Sequence, residues 1–463
     1  MSIWSQLLQE LENFPRDVRA LRVSPRVDPE ELRAKLESHY PFDTPVPLET
    51  LTAEVIRMLR AWTVHVTHPR YFGLFNPSVR QASIIADALV ALYNPQLAGW
   101  SHAPAANELE RLTLRRLANE LGINAHALHA NFTTGGAEAN LSAVLGALAL
   151  HFPESCETGL FALRSRPAIY LTSETHHSFV KVARMTGLGT TTLHEIPTDT
   201  RFVMDSNALQ SRLHADLQEG WHPLMIVGTA GTTSAGLVDP LAKLAEVAAQ
   251  HGAWFHVDAA WGGSAALSPR LKAVLAGIER ADSITWDAHK WLSVPMGAGM
   301  FFCRHPEAIQ RAFAITTSYM PAATAGDTVD PYTTTAQWSR RAIGLKVFMA
   351  LAELGINGFA ALIEHQAQMG DYLRGRLAKL GWEVVNETTL PVICFTHPTI
   401  KQGKLSTNRV LQTIYERGQV WISEVVLGKQ ERVLRACITS FNTNESDIEC
   451  LLEEIEYARQ RNL

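Results

Sequence analysis

The chain has 463 residues, 46% of them hydrophobic, which is enough apolar material for a sizeable buried core. Lys and Arg number 41 against 46 Asp and Glu, a formal net charge of −5 with no basic tract, so a nucleic-acid backbone or an anionic membrane is not the expected partner and a small molecule is. The five cysteines, Cys156, Cys303, Cys394, Cys437 and Cys450, are odd in number and contain no CxxC pair, which implies neither a disulfide framework nor a zinc knuckle and points to a reducing cytoplasm.

The N-terminal residues 1–21 interleave Glu10, Glu12, Arg16, Asp17 and Arg19 with apolar residues, an amphipathic pattern without the apolar core of a signal peptide. No apolar run is expected to reach membrane-spanning length. Pro41, Pro45 and Pro47, and then the irregular aromatic stretch His68-Pro69-Arg70-Tyr71-Phe72-Gly73-Leu74-Phe75-Asn76-Pro77, mark residues 1–75 as a helical arm. Short runs rich in β-branched and aromatic residues follow at 168–172, 224–228, 254–257, 283–286 and 299–303. Between them, 138–151 and 241–251 carry good helix formers at helical spacing, and Gly252 supplies a stop for the second. Continuous apolar strands alternating with helices predict an α/β domain over 76–345, with a mostly parallel sheet covered on both faces. Helices are expected at 341–354 and, after Gly355, to about 380. Strands at 382–385, 392–395, 420–425 and 435–439 then make 346–463 a smaller α+β domain, and there is no internal repeat.

Ser283-Ile284-Thr285-Trp286-Asp287-Ala288-His289-Lys290-Trp291 sets a lysine among tryptophans just after an apolar run. Burial disfavours the ammonium form, so an amine in such a place is able to condense with an aldehyde, the chemistry pyridoxal phosphate asks of its protein. The apolar run Trp254-Phe255-His256-Val257 ends in Asp258, a carboxylate suited to a pyridinium nitrogen. Thr133-Thr134-Gly135-Gly136-Ala137 leads straight into a helical pattern, where free N–H groups and small residues admit an anion. Taken singly, each has an ordinary reading. Asp258 is a turn residue, His289-Lys290 a solvated loop, His176-His177 a surface pair, and Gly231-Thr232-Thr233 a strand-ending turn. Jointly they fall at strand ends and a helix start, which in open α/β sheets line one ligand crevice. A metal site from His256, Asp258, Asp287 and His289 is the alternative, and no HExxH-like signature supports it.

These residues, with His68-Pro69-Arg70-Tyr71-Phe72, Ala105-Ala106-Asn107-Glu108-Leu109-Glu110, His177-Ser178, His256-Val257-Asp258-Ala259-Ala260-Trp261-Gly262-Gly263, Gly428-Lys429, Leu434-Arg435 and Asn442-Thr443, resemble the pyridoxal-phosphate-dependent group II amino-acid decarboxylases. The resemblance spans most of the chain. It implies a fold type I, aspartate-aminotransferase-like enzyme working as a homodimer with sites at the subunit interface. It casts Lys290 as the lysine that carries the cofactor, Asp258 on the ring nitrogen, Ala260 beneath the ring, His177 over its opposite face, Thr233 beside Asp258, and Gly136, Ala137 and His289 on the phosphate. Asp287 stands where many members have Asn, and Ala137 where many have Ser, which leaves Asp287 either turned away from the phosphate or bonded elsewhere. In 327–335, upstream of Trp338-Ser339-Arg340-Arg341, Tyr332 matches the family's loop tyrosine, the acid that protonates Cα in the neighbouring subunit, one residue out of register; Tyr319 is its rival. Gly73-Leu74-Phe75 is an apolar lining that favours an aromatic or apolar substrate, with Trp100-Ser101-His102 joining the pocket from the partner subunit. The expected reaction is decarboxylation of an L-amino acid to its amine. An aldehyde synthase or carbon–carbon lyase of the same fold is the alternative, with the retained His177 and loop tyrosine against the synthase.

Overall fold

The β-branched and aromatic runs form a central seven-stranded sheet, and the computed structural model describes residues 3–76, 78–317, 328–428 and 431–462 of the chain. Its strands are β1 (His129–Thr133), β2 (Arg166–Leu171), β3 (Leu193–Glu195), β4 (Trp221–Thr229), β5 (Trp254–Asp258), β6 (Ser283–Asp287) and β7 (Gly299–Cys303). They lie in the order β1-β7-β6-β5-β4-β2-β3. The pairings from β3 through β2, β4 and β5 to β6 are parallel, while β7 runs antiparallel to both β6 and β1. The expected mostly parallel sheet is therefore present with one reversed strand, β7, second from the edge. Every residue of β5, β6 and β7 is buried, as a strand covered on both faces requires. The sequence reading passed over β1 and β3: β3 is only three residues long, and β1, on the sheet edge, mixes His and Asn with its apolar residues.

Helix Leu241–His251 ends as anticipated, with Gly252 in the left-handed region at φ 63° and its N–H on the Ala248 carbonyl. Helix Gly344–Lys379 breaks at Gly355, where φ is 67°. By length and composition this helix could cross a membrane, contrary to the expectation that no run approaches that length. Here it packs against helices Gln81–Tyr93, Pro104–Glu120 and Glu445–Arg461 and against the second sheet.

That second sheet is antiparallel, in the order β10-β11-β9-β8, from β8 (Glu383–Val384), β9 (Val392–Thr396), β10 (Ser423–Leu427) and β11 (Glu431–Cys437). The last two are displaced from the anticipated 420–425 and 435–439 because the hairpin closes tightly from Leu427 to Glu431, with Gly428 at φ 56°. The arm is tied into this sheet. Phe72 donates its N–H to the Trp421 carbonyl at 2.8 Å and accepts from Cys437 N–H at 2.9 Å, while its ring joins a core with Leu373, Phe395 and Leu434. Arg19 and Arg70 both reach the buried Asp447 carboxylate, at 2.9 and 3.1 Å.

Burial also holds histidines uncharged in this fold. His68 and His256 are 1% and 0% exposed, and desolvation pulls each down to about 4. The unfolded chain takes up these protons near pH 6.5 and the folded chain only near 4, so stability is full above 6.5 and is lost as pH falls between those values. Urea unfolding should show a loss of about 1.4 kcal/mol per pH unit for each such histidine in that window. A free energy of unfolding that stays flat from pH 6.5 to 4.5 would contradict it.

Candidate active site

Asp258 ends β5 and Asp287 ends the adjacent parallel β6, so both carboxylates emerge at one edge of the sheet. Asp258 is 4% exposed, and its oxygens are both taken: Oδ1 accepts from Ala260 N–H at 3.1 Å and Oδ2 from Asn140 Nδ2 at 2.9 Å. Asn140 also donates to Ser178 Oγ at 3.0 Å, while its carbonyl oxygen accepts from Thr285 Oγ1 at 2.7 Å. The Ser283 hydroxyl accepts from Trp254 Nε1 at 2.7 Å and so donates to His256 Nδ1 at 2.8 Å, leaving His256 Nε2–H to the Asn140 carbonyl at 3.0 Å. This chain of donors orients the Asn140 amide toward Asp258. It also commits both nitrogens of His256 to the core, removing it from the metal alternative, and among the described residues no group of three or more His, Cys, Asp or Glu could hold a metal.

Beyond β6 the backbone turns at once, with Lys290 N–H on the Asp287 carbonyl at 3.2 Å. The turn brings Lys290 Nζ to 3.1 Å from Asp287 Oδ2. The neighbouring tryptophans brace this turn rather than sheathing the lysine. Trp291 stacks on Trp261 at 4.9 Å and donates to Gln366 Oε1 at 2.6 Å, Trp286 donates to Ser264 Oγ at 3.1 Å, and the lysine side chain itself is 23% exposed. His289 Nδ1 accepts from Ala298 N–H at 3.2 Å, so the neutral ring, its pKa lowered by burial, carries its proton on Nε2, 3.8 Å from Asp287 Oδ2.

Gly136 opens helix Gly136–His151 against this cluster. A Cβ there would lie 3.1 Å from Asp287 Oδ2, 3.3 Å from Thr285 Cγ2 and 3.4 Å from Ala260 Cβ, a cradle that only glycine leaves open. Glu138 is occupied by Thr134 N–H and Oγ1, at 2.8 and 2.7 Å, and by Gln337 Nε2 at 2.8 Å, which caps the turn from outside. The N–H groups of Gly136 and Ala137, in the first helical turn, have no intrahelical acceptor. The residues fit pyridoxal phosphate: a primary amine for its aldehyde, a fully held carboxylate for its ring nitrogen, and N–H groups with His289 Nε2–H for its phosphate. Asp287 Oδ1, buried and without a hydrogen-bond partner among the described residues, is the one discordant atom.

Lys290, Asp258, Ala260, Gly136, Ala137, His289 and Asp287 thus come together. His177 precedes helix Ser178–Met185 at an exposed position. Its neighbour His176 feels Asp258, Lys290 and Asp287, with desolvation the larger pull and its pKa lowered. Thr233 lies exposed on the loop after β4, where its carbonyl accepts from the buried Arg435, whose guanidinium sits 5.9 Å over the Phe75 ring. Tyr332 belongs to a separate cluster, its ring tilted against Trp338 at 5.0 Å and its N–H on the Ala98 carbonyl at 3.1 Å. It sits beside a cavity of about 460 Å³ lined by Trp100, Pro331, Thr335 and Arg340 and not by Lys290. Tyr319, Asp327 and Lys429 lie outside the described residues. Sequence reading missed Asn140 as the partner of Asp258. Its position four residues after Gly136, on the same face of one helix, was the available signal.

A sheet whose strand ends carry this lysine, carboxylate and anion cradle defines a fold type I enzyme built for pyridoxal phosphate. The family model described as "Pyridoxal-dependent decarboxylase conserved domain" matches residues 29–397, and the chain belongs to that family as a pyridoxal-phosphate-dependent amino-acid decarboxylase, a carboxy-lyase. Histidine decarboxylase of Mus musculus is 27% identical over 459 residues, covering 96% of this chain and 68% of that protein. Aromatic-L-amino-acid decarboxylase of Bacillus atrophaeus is 27% identical over 440 residues, covering 93% and 89%. The crystal structure of Oryza sativa TDC with PLP and tryptamine superposes with a TM-score of 0.92 at 25% identity, over 99% of this chain and 97% of that one.

Removing Asn140 leaves a buried carboxylate oxygen short of a donor, which costs about 1–3 kcal/mol where that oxygen must stay charged. N140A is expected to lower kcat/KM by about 10- to 100-fold while N140D, which sets a second carboxylate against Asp258, does worse. Equal kcat/KM for wild type and N140A would show that Asp258 does not depend on this amide.

Proposed function

We propose that the chain converts an L-amino acid with an aromatic or otherwise apolar side chain to its amine and carbon dioxide, using Lys290, Asp258, His177 and Tyr332. The observation that carries this reading is the meeting of Lys290, Asp258 and the Gly136 cradle at the ends of β5 and β6. Pyridoxal phosphate bound here supplies the electron sink for the bond broken at Cα. Lys290 would hold it through the ε-amine, and the same amine would serve as a base beside the reacting carbon. Asp258, its two oxygens held by Ala260 N–H and Asn140, would face the ring nitrogen and favour a proton there. Ala260 would lie under the ring, His177 would cover its other face and Thr233 would stand alongside Asp258. Gly136, Ala137 and His289 hold the phosphate. Arg435, hydrogen-bonded to the Thr233 carbonyl, is a cation placed to hold the substrate carboxylate.

The apolar preference rests on Phe75, buried against Trp261 at 4.7 Å, and on Leu74 beside it; the names of the histidine and aromatic-amino-acid decarboxylase relatives agree with it. The chain is proposed to work in the cytoplasm, with a helical arm over 1–75, a cofactor domain over 76–345 and a small domain over 346–463. Purified protein supplied with pyridoxal phosphate is tested on an amino-acid panel, recording carbon dioxide, amine, aldehyde and peroxide. Stoichiometric amine and carbon dioxide are expected, with K290A losing about 10³-fold in rate together with the visible cofactor band. Aldehyde with peroxide would assign the chain to the oxidative branch instead, and an undiminished K290A would overturn the site.

Tyr332 is proposed to act in the second subunit of a homodimer, protonating Cα there. Helices Ile3–Asp17, Pro29–His39 and Leu48–Trp62 contain no buried residue, and Trp4, Leu48 and Leu59 are 76%, 56% and 57% exposed, an apolar face suited to a second copy. Arg340, 3% exposed beside the 460 Å³ cavity, leaves Nε and Nη1 without hydrogen-bond partners among the described residues. Sedimentation velocity should give twice the chain mass, and W4E/L59E should shift it to a monomer with little activity. A fully active wild-type monomer would exclude the role of Tyr332 across subunits.

A further inference from the structure

Asp287 is the residue of the cluster that the decarboxylation reading leaves without a part. It is 2% exposed at the end of β6, its Oδ1 has no hydrogen-bond partner among the described residues, and its Oδ2 faces Lys290 Nζ at 3.1 Å and His289 Nε2 at 3.8 Å. The same Oδ2 lies 3.1 Å from where a Gly136 Cβ would stand, so the carboxylate borders the first turn of helix Gly136–His151. It therefore stands beside the N–H groups that face an incoming phosphate, in a place where an ionised carboxylate and a phosphate dianion repel each other strongly.

Building on the assignment of Lys290 and Gly136 to the cofactor, we propose that Asp287 makes occupation of the phosphate seat proton-coupled. In the unloaded enzyme its carboxylate is ionised and pairs with the Lys290 ammonium. When the phosphate dianion enters and the Lys290 ammonium condenses with the aldehyde, losing water and keeping its positive charge on nitrogen, the lysine step is proton-neutral; Asp287 takes one further proton from solvent (COO⁻ + H⁺ → COOH) and donates it as a hydrogen bond to a phosphate oxygen. The orphaned Oδ1 becomes satisfied in the same step.

The charged and titratable groups around Asp287 are Lys290 and His289 on its own turn, His176 from the loop before helix Ser178–Met185, and Asp258 at the end of β5; Lys346 of helix Gly344–Lys379 acts on His289. Desolvation keeps both histidines at lowered pKa, so neither supplies the counter-charge at neutral pH. Asp258 is held by Asn140 and Ala260 and adds only negative charge. The proton falls to the carboxylate that has an unpaired oxygen.

The test is calorimetric titration of the full-length enzyme, stripped of cofactor, with pyridoxal phosphate and with phosphate-free pyridoxal. Buffers of different ionisation enthalpy report protons taken up, and the pH is kept above about 7, where the ester is a dianion. Wild type is expected to take up about one proton more than D287N on binding pyridoxal phosphate, its affinity falling about tenfold more steeply per pH unit. D287N should bind pyridoxal phosphate more tightly than wild type at alkaline pH while pyridoxal discriminates little between them, and D287S repeats the comparison should D287N fold poorly. Equal proton uptake, or a loss of affinity in D287N that is the same for both ligands, overturns the inference and leaves Asp287 a permanent anion serving Lys290. Borohydride labelling is read on the same samples. Label on Lys290 with no D287N effect overturns this inference alone, whereas label elsewhere overturns the site assignment beneath it.

Discussion

The carboxamide of Asn140 is the interaction on which the site depends. One side chain, reaching from the helix that begins at Gly136, joins Asp258 of β5, Thr285 of β6, His256 of β5 and Ser178 of the next helix. A carboxamide presents two acceptor sites and two donor hydrogens, and here all four are used in one orientation. That orientation is imposed from below by Trp254, Ser283 and His256, each satisfied by the next. Asp258, 4% exposed, consequently has a donor on each carboxylate oxygen, which offsets the cost of burying the group. The same network locks the helix start to the sheet, so the cradle at Gly136 and the carboxylate at Asp258 cannot drift apart.

On the other side of the cleft the geometry is set by a backbone turn. Two residues separate Asp287 from Lys290, and the turn between them, braced by the stacked Trp261 and Trp291, folds the amine back over the strand end. The result is a lysine balanced by a carboxylate, not one buried in hydrocarbon. Its reactivity is therefore governed by the charge beside it, and that charge is shared with the anion cradle. Coupling of lysine, carboxylate and phosphate seat follows from Asp287 standing between the other two.

The second sheet and the N-terminal arm complete the cleft from the remaining sides. Arg70 and Phe72 are hydrogen-bonded to Trp421 and Cys437 of the small domain, which carries Phe75 to Trp261 and under the Arg435 guanidinium. Arg435 in turn spans from β11 to the loop after β4. The residues proposed to meet the substrate thus come from the arm, the large sheet and the small sheet together. The N-terminal helices bury no residue and leave Trp4, Leu48 and Leu59 exposed, the face on which the proposed second copy would sit.

The period-free apolar runs at β2, β4, β5, β6 and β7 were legible in the sequence because strands buried on both faces need continuous hydrophobicity. The helix stop at Gly252 and the break at Gly355 were legible because those positions need a residue tolerant of positive φ. The lysine, the strand-ending carboxylate and the glycines before a helix were legible by residue type and order, since their chemistry depends on local context that the chain writes contiguously. The short edge strands β1 and β3 were not, since sheet edges carry little apolar signal of their own. Nor could the sequence decide what Asp287 faces, that His256 is spent within the core, or that Asn140 holds Asp258, because each depends on side chains brought together from distant segments. By itself the sequence determined the strands, the helix signals and the kinds of reacting groups. Only the tertiary structure decided which oxygen meets which proton, because hydrogen bonds of this reach are made by packing and register, not by spacing along the chain.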